Sequence, residues 1–369
     1  MEEWTIKAAL DWTVGYLERK GDENPRLAAE WLLSAACAMP RIQLYVNFDR
    51  ALTVSERDVL RGYVQRRAAG EPLQYITGEA PFRHITVKVA PGVLIPRPET
   101  EVLVSEALAL LPSAQKRIAL DSTIDAWEGD LLKAAQEAQA ASVPEPSAEA
   151  HAAADGRLEQ RFDAPIGARA EEGEPGEPEA AASSEAAFPA EDKAGRPLLA
   201  VDLCAGSGCI AVSLAVERPD VRVLATDISP QAVQLACENA RRCEVEQRVK
   251  VVQCHLAQGV PAAAIGRLDL VVSNPPYVPS AQCAQLPSEV RDFEPSLALD
   301  GGADGLQLFR EIAPWALRAL KPGGGFACEL FEGHMDQAAS IAREAGFGEV
   351  RIVEDLTGRP RVLAARKPQ

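Results

Sequence analysis

The chain has 369 residues, 47% of them hydrophobic, with 38 Lys and Arg set against 54 Asp and Glu for a net charge of −16. That length exceeds one ordinary domain, and the apolar content supports a buried core. A chain this acidic lacks the clustered cations that phosphate contact requires, which excludes a general nucleic-acid binder. The charge is also unevenly spread: residues 121–196 hold 18 acids and 6 bases, so the remainder is close to neutral.

From the N-terminus, MEEWTIKAALDW is acidic and amphipathic, unlike a signal peptide. No apolar run reaches the ~18 residues of a membrane span, and a cytoplasmic protein is expected. Trp4, Ile6, Ala9, Leu10, Val14 and Leu17 recur at helical spacing, as do Leu27, Ala28, Trp31, Leu32 and Ala35. Ser55 opens a third helical stretch that Gly70 closes. Residues 1–75 are therefore expected to form a small helical domain. Between 76 and 97, the β-branched run ITVKVAPGVLIP predicts a short hairpin and an extended link. Pro98-Glu99-Thr100-Glu101 then opens a helix to about Leu111, with proline and acids placed as a helix N-terminus prefers.

Residues 121–196 are low in complexity and almost free of large apolar side chains. They are expected to form a disordered acidic insert, with a transient helix near 126–141. From Leu198 onward strands alternate with helices: LLAVDL, VRVLATDI, VKVVQC, LDLVVSN and GFACELF, then EVRIVED and RVLAARK. This predicts an α/β, Rossmann-like, mostly parallel sheet within a domain spanning 98–369. The turn Leu356–Pro360 is too short for a parallel crossover, so one terminal strand is expected to run antiparallel.

Three motifs fall at strand ends. Cys204-Ala205-Gly206-Ser207-Gly208 follows the first core strand, where glycines let backbone approach a ligand beside a helix N-terminus. Asp227 ends the second strand and offers acceptors to ribose hydroxyls. Glycine loop and acid together suit an adenosine cofactor, although GSGCIA also scans as the dinucleotide fingerprint GxGxxA. The third motif, Asn274-Pro275-Pro276-Tyr277, cannot continue a central strand, so the chain turns out at the ligand-binding edge. Its prolines stiffen the turn and leave carbonyls free to accept. The Asn274 side-chain oxygen and the Pro275 carbonyl offer two acceptors to one NH2 group, and Tyr277 offers a wall for a planar group. Holding both hydrogens of an amide or aromatic amine orients its delocalised lone pair, so catalysis here is positioning and electrostatics.

The chain resembles the HemK/PrmC-type methyltransferases that modify the glutamine of the GGQ motif in peptide chain release factors. The resemblance runs through GEPLQYITGEAPFRHITV, VLIPRPETE, DLCAGSGCIAVSLA, ATDIS, VVSNPPYV, EVRDFEPSLALDGGADGL and LKPGGGFACELFEGH. PRPETE is specific to that family, whereas NPPY is shared with amino-methylating DNA enzymes. The resemblance implies a helical N-terminal domain that engages the release factor. It also implies S-adenosylmethionine held by 204–208, Asp227, Leu256 and Asn274, and the glutamine held by Asn274, Pro275, Pro276 and Tyr277. No direct nucleic-acid contact, no metal and a monomer are expected. Two departures stand out. His255 occupies a position where the family pattern has an Asp, and the insert replaces a brief link. Cys204, in place of a first glycine, is expected to need only an ordinary φ.

Further residues have two readings. Arg97 and Glu99 either contact loops on the cofactor side or form an internal ion pair that supports the site. Phe82 walls a glutamine pocket or packs between domains. Glu329 and Glu332 are read as a solvated strand edge. The eight cysteines contain no CxxC pair and are read as reduced, mostly buried thiols. The competing activities are DNA adenine-amino methylation, which calls for a basic recognition region, and nicotinamide-dependent oxidoreduction, which has no use for NPPY.

Overall fold

The computed structural model describes residues 4–113 and 196–369. The acidic insert, apart from its last position, and the helix expected near 126–141 lie outside the described residues.

Helices α1 (Ile6–Arg19), α2 (Pro25–Ala36), α3 (Arg41–Val46) and α4 (Val54–Ala68) open the chain. Their apolar faces meet in one cluster built on Ile6, Leu10, Leu17, Leu32, Leu33, Leu44, Leu60 and Val64. Helix α4 is capped by Thr53, two residues before Ser55. The Thr53 side chain accepts from Glu56 N, and the Glu56 carboxylate accepts from Thr53 N, completing a capping box. α3 and the short α5 (Leu73–Thr77) were not anticipated, because each is too short to show a helical period.

The hairpin falls within the expected 76–97 region. It pairs β1 (Glu79–Phe82) with β2 (Ile85–Lys88), burying Ala80, Phe82 and Val87 on one face. Residues 90–97 follow it as a connection without helix or strand. Helix α6 (Thr100–Leu110) follows it.

The main sheet has the order β5-β4-β3-β6-β7-β9-β8, formed by β3 (Leu198–Leu203), β4 (Val221–Asp227), β5 (Val249–Gln253), β6 (Leu268–Ser273), β7 (Leu320–Glu329), β8 (Gly348–Glu354) and β9 (Pro360–Arg366). In this sheet β9 alone points opposite to the other six strands. Asp355 closes the β8–β9 turn by accepting from the backbone N–H groups of Thr357 and Arg359.

Period-two alternation sorts the sheet into two cores. Ala200, Val223, Leu270 and Ala327 pack on the face covered by α6 and the helix Cys209–Glu217. Val201, Leu224, Val271 and Phe326 pack on the opposite face, against helices Gln307–Ala319 and Met335–Ala345. The strand order reverses between β3 and β6, so their C-terminal ends diverge to leave a crevice, the usual ligand position in such sheets. No described helix is long and apolar enough to cross a membrane.

Candidate active site

A cavity of about 310 Å³ opens at that crevice, within the size range of small-molecule sites. Cys204, Ala205, Gly206, Ser207, Asp227, His255, Leu256, Asn274 and Pro276 all line it. The structure thus gathers residues from the ends of β3, β4, β5 and β6. Gly208, Pro275 and Tyr277 do not line the cavity.

At the β3 end the backbone sets the shape. Gly206 N donates to Asp227 Oδ2 at 2.8 Å, and Ser229 N donates to Asp227 Oδ1 at 2.9 Å. Each carboxylate oxygen retains a lone pair for a ligand. Burial pushes the Asp227 carboxyl above its usual range, against the pull of these N–H donors. Gly208 serves a different purpose from the one expected. It has φ +77°, and a Cβ there would lie 2.9 Å from Ala236 Cβ, so it lets helix Cys209–Glu217 approach helix Pro230–Arg242. The expectation for Cys204 was wrong. Its φ is +61°, in the left-handed region where a side chain costs roughly 1–2 kcal/mol. Leu256 is also left-handed, at φ +44°. Its carbonyl accepts from Thr226 Oγ1 at 2.7 Å, which holds the loop beside the cavity. His255 is exposed on the same rim.

Asn239 escaped sequence reasoning altogether. It is fully buried, and its side chain accepts from Lys88 N and donates to the carbonyls of Lys88 and Ser207. One amide therefore ties the β1–β2 hairpin to the glycine loop.

At the β6 end, Asn274 Nδ2 donates to Thr100 Oγ1 at 3.1 Å. Asn274 Oδ1 is buried and has no partner. A buried acceptor left open in a cavity wall is a costly feature unless a ligand uses it. No described hydrogen bond reaches the Pro275 carbonyl. The turn is backed by the segment DGGADG. Val278 N donates to Leu299 O, Gly301 N donates to Val278 O, and a Cβ at Gly301 would fall 2.7 Å from Pro276 O. The clustered glycines at 301, 302 and 305 were the signal for this close approach.

Three expectations are corrected here. Tyr277 does not present a free wall: its hydroxyl donates to Glu329 Oε1 at 3.0 Å. Glu329 is not a solvated edge but is fully buried. Burial raises its carboxyl above the ordinary range, opposed by the nearby Thr100 hydroxyl, the Tyr277 hydrogen bond and Arg361. Glu332 does keep contact with solvent, near Arg359 and Arg361. Arg97 pairs not with Glu99 but with the buried carboxylate of Glu294, which also accepts from Ile95 N. That pair fastens the 294–301 segment to the 93–97 segment across the cavity. Phe82 is buried in the core cluster and does not line the cavity.

The N-terminal helices match the PrmC N-terminal domain family over residues 8–78, and residues 190–286 match the methyltransferase small domain. A release factor glutamine methyltransferase of Geobacter sulfurreducens is 36% identical over 99% of this chain and 98% of its own length. One of Moorella thermoacetica is 32% identical over 98% of both chains. A third, of Rhodospirillum rubrum, is 36% identical over 97% of this chain and 84% of its own. None of these three is named as a DNA methyltransferase or an oxidoreductase, the other activities weighed from the sequence. Full-length similarity at this level, with a methyltransferase domain built on a mostly parallel seven-stranded sheet, places the chain in the release factor glutamine methyltransferase family.

Proposed function

We propose that this enzyme transfers a methyl group from S-adenosylmethionine to the side-chain amide nitrogen of the GGQ glutamine in peptide chain release factors, as a single chain in the cytoplasm. The helical region 1–75 engages the release factor, residues 76–97 link it, and the domain within 98–369 carries the chemistry. The observation that carries this reading is the unpartnered, buried Asn274 Oδ1 in a cavity shared with the glycine loop and Asp227.

The residues present fit the cofactor. Asp227 keeps lone pairs for the ribose hydroxyls, Leu256 offers an apolar face to the adenine, and residues 204–207 let the chain approach closely. When bound, S-adenosylmethionine supplies an electrophilic methyl group on a sulfonium. The rest falls to the protein. Asn274 Oδ1 and the Pro275 carbonyl accept the two amide hydrogens of the glutamine, so its nitrogen is aimed rather than deprotonated in advance. The stiff Pro275-Pro276 turn fixes those acceptors before binding, which lowers the ordering cost of reaching the transition state. A preorganised pair of acceptors also stabilises the positive charge that grows on the nitrogen as it is alkylated.

Incubation with labelled S-adenosylmethionine and purified release factor, followed by mass mapping of the GGQ peptide, tests this. One added methyl on that glutamine is expected. An unmodified glutamine with label entering DNA would overturn the reading.

A further inference from the structure

Residues 92–97 form one wall of the cavity, yet they hold no helix or strand. Such a wall has no ladder of its own, so its backbone groups must be held from elsewhere. Among the described residues, the backbone of this strap hydrogen-bonds beyond its immediate neighbours at two points. The buried Tyr75 hydroxyl donates to Val93 O at 2.8 Å, and Ile95 N donates to Glu294 Oε2 at 3.2 Å. The other carboxylate oxygen of Glu294 pairs with the Arg97 guanidinium. Two buried side chains thus hold the strap at alternate residues, 93, 95 and 97. Val93 and Ile95 also pack among apolar neighbours. Those contacts are non-directional, whereas the hydrogen bonds fix where the strap's polar groups point.

The two holding side chains come from different places. Glu294 begins the segment that backs the clamp and supplies the facing wall through Pro295, Leu297 and Ala298. Tyr75 lies on α5, within the stretch that matches the PrmC N-terminal domain. Neighbouring residues of α5 divide between two cores. Ile76 packs in the helical cluster, and Tyr75 packs with Phe82, Val87 and Leu103 against the sheet. Arg67 of α4 makes a second crossing, to Glu289 at 3.0 Å, on the same stretch of chain as Glu294.

We propose that Tyr75 and Glu294 are positioning residues for the cofactor: they hold the 92–97 strap in the shape that accepts S-adenosylmethionine. Through Tyr75 the helical domain is then part of the cofactor cavity as well as the region that engages the release factor. The motif GEPLQYITG, which carried the family resemblance without any chemistry of its own, supplies this anchor. Neither side chain lines the cavity, so both act through the strap. The inference rests on the reading of this cavity as the S-adenosylmethionine site.

A loosened strap has a characteristic signature. It occupies the binding-competent shape only part of the time, and the apparent affinity falls by that fraction. Turnover at saturating cofactor is spared, because binding restores the shape.

Two substitutions test this in the full chain. Tyr75→Phe deletes one hydroxyl and keeps the packed ring. Glu294→Gln keeps the shape, but its single carbonyl oxygen can serve Ile95 N or Arg97 and not both. Calorimetry with S-adenosylmethionine is expected to show a dissociation constant raised about fivefold in Tyr75→Phe and about threefold or more in Glu294→Gln. With release factor as substrate, KM for the cofactor should rise in step while kcat stays within about twofold. Phe347→Leu, in the core on the other face of the sheet, loosens the protein without touching the strap. It should leave the dissociation constant within about twofold of the wild type. Wild-type affinity in Tyr75→Phe would overturn the proposal, as would a fall in kcat at unchanged KM. Equal weakening in Phe347→Leu would also overturn it, by tracing the effect to general instability. If Glu294→Gln does not fold, Tyr75→Phe decides. A wild-type chain that fails to bind S-adenosylmethionine removes the cofactor reading itself, whereas normal binding by wild type and both variants removes only the strap proposal.

Discussion

At the glycine-loop end of the cavity the backbone supplies the geometry, through left-handed torsions at Cys204, Gly206 and Gly208 and N–H groups aimed at Asp227. At the clamp end side chains supply it, through Asn274, Thr100, Tyr277 and Glu329. The two ends tolerate change differently. A backbone-built site depends on what torsions and clearances its residues allow, whereas a side-chain-built site depends on which atoms hold hydrogens. The first is sensitive to added bulk and the second to isosteric swaps that leave the shape alone.

The largest effect is expected from breaking the backbone end. Gly208→Ala forces a side chain into a φ of +77° and sets its Cβ 2.9 Å from Ala236 Cβ and 3.1 Å from Ala236 Cα. Strain and overpacking together should cost about 3 kcal/mol, read from the urea midpoint at unchanged m-value. A midpoint equal to the wild type would mean that the helix pair relaxes freely.

Next in size is a pH effect from beneath the loop. Asp202 is fully buried and has one oxygen without a partner, and burial pushes its carboxyl up to about 8. Its folded-state value lies above the unfolded value of about 3.9. The folded protein therefore holds this proton more tightly, and the stability so gained is complete below about pH 4 and lost as pH rises through about 8. Asp202→Asn should make the protein more stable at pH 8 by roughly 2 kcal/mol and shrink the difference between pH 5 and pH 8. Denaturation at both pH values checks the sign; an unchanged difference would refute it.

At the clamp, Asn274→Ala removes an acceptor without touching the glycine loop. Turnover should fall by at least about tenfold while cofactor affinity is kept. A drop in affinity with normal turnover would instead make Asn274 part of the backbone-built end. The smallest effect sharpens the comparison. Cys204→Gly relieves a left-handed φ of +61° but also frees the unfolded chain and removes a packed thiol. Net stability should shift by no more than about 1 kcal/mol, measured by thermal unfolding. A loss well above that would show that the thiol packing outweighs the torsion.

Much of this molecule was legible in its sequence because the relevant physics is local. Near-continuous apolar runs in LLAVDL and LDLVVS marked buried strands at 198–203 and 268–273, and the short 356–360 turn marked an antiparallel β9. The glycine loop, Asp227 and the double proline were legible for the same reason, since each motif shapes its own few residues of backbone. The hairpin at 79–88 was legible as a region, but its first strand EAPF carries Pro81 and no β-branched residue, so the pairing itself came only from the structure.

What the sequence by itself determined was therefore most of the elements, the edge of the sheet where ligands bind, and the three motifs that meet there. Tertiary structure alone decided which side chains share an environment. Thr100 and Asn274 lie 174 positions apart, Arg97 and Glu294 lie 197 apart, and Asn239 reaches the hairpin across 151. Glu329 looked like one more acid at a strand end. Its burial, and with it its role as a fixed acceptor, exists only because α6 and the clamp close over the end of β7. Burial and hydrogen-bond partnership are properties of the packed assembly, and a pattern in the chain reports them only when the partners are neighbours in sequence.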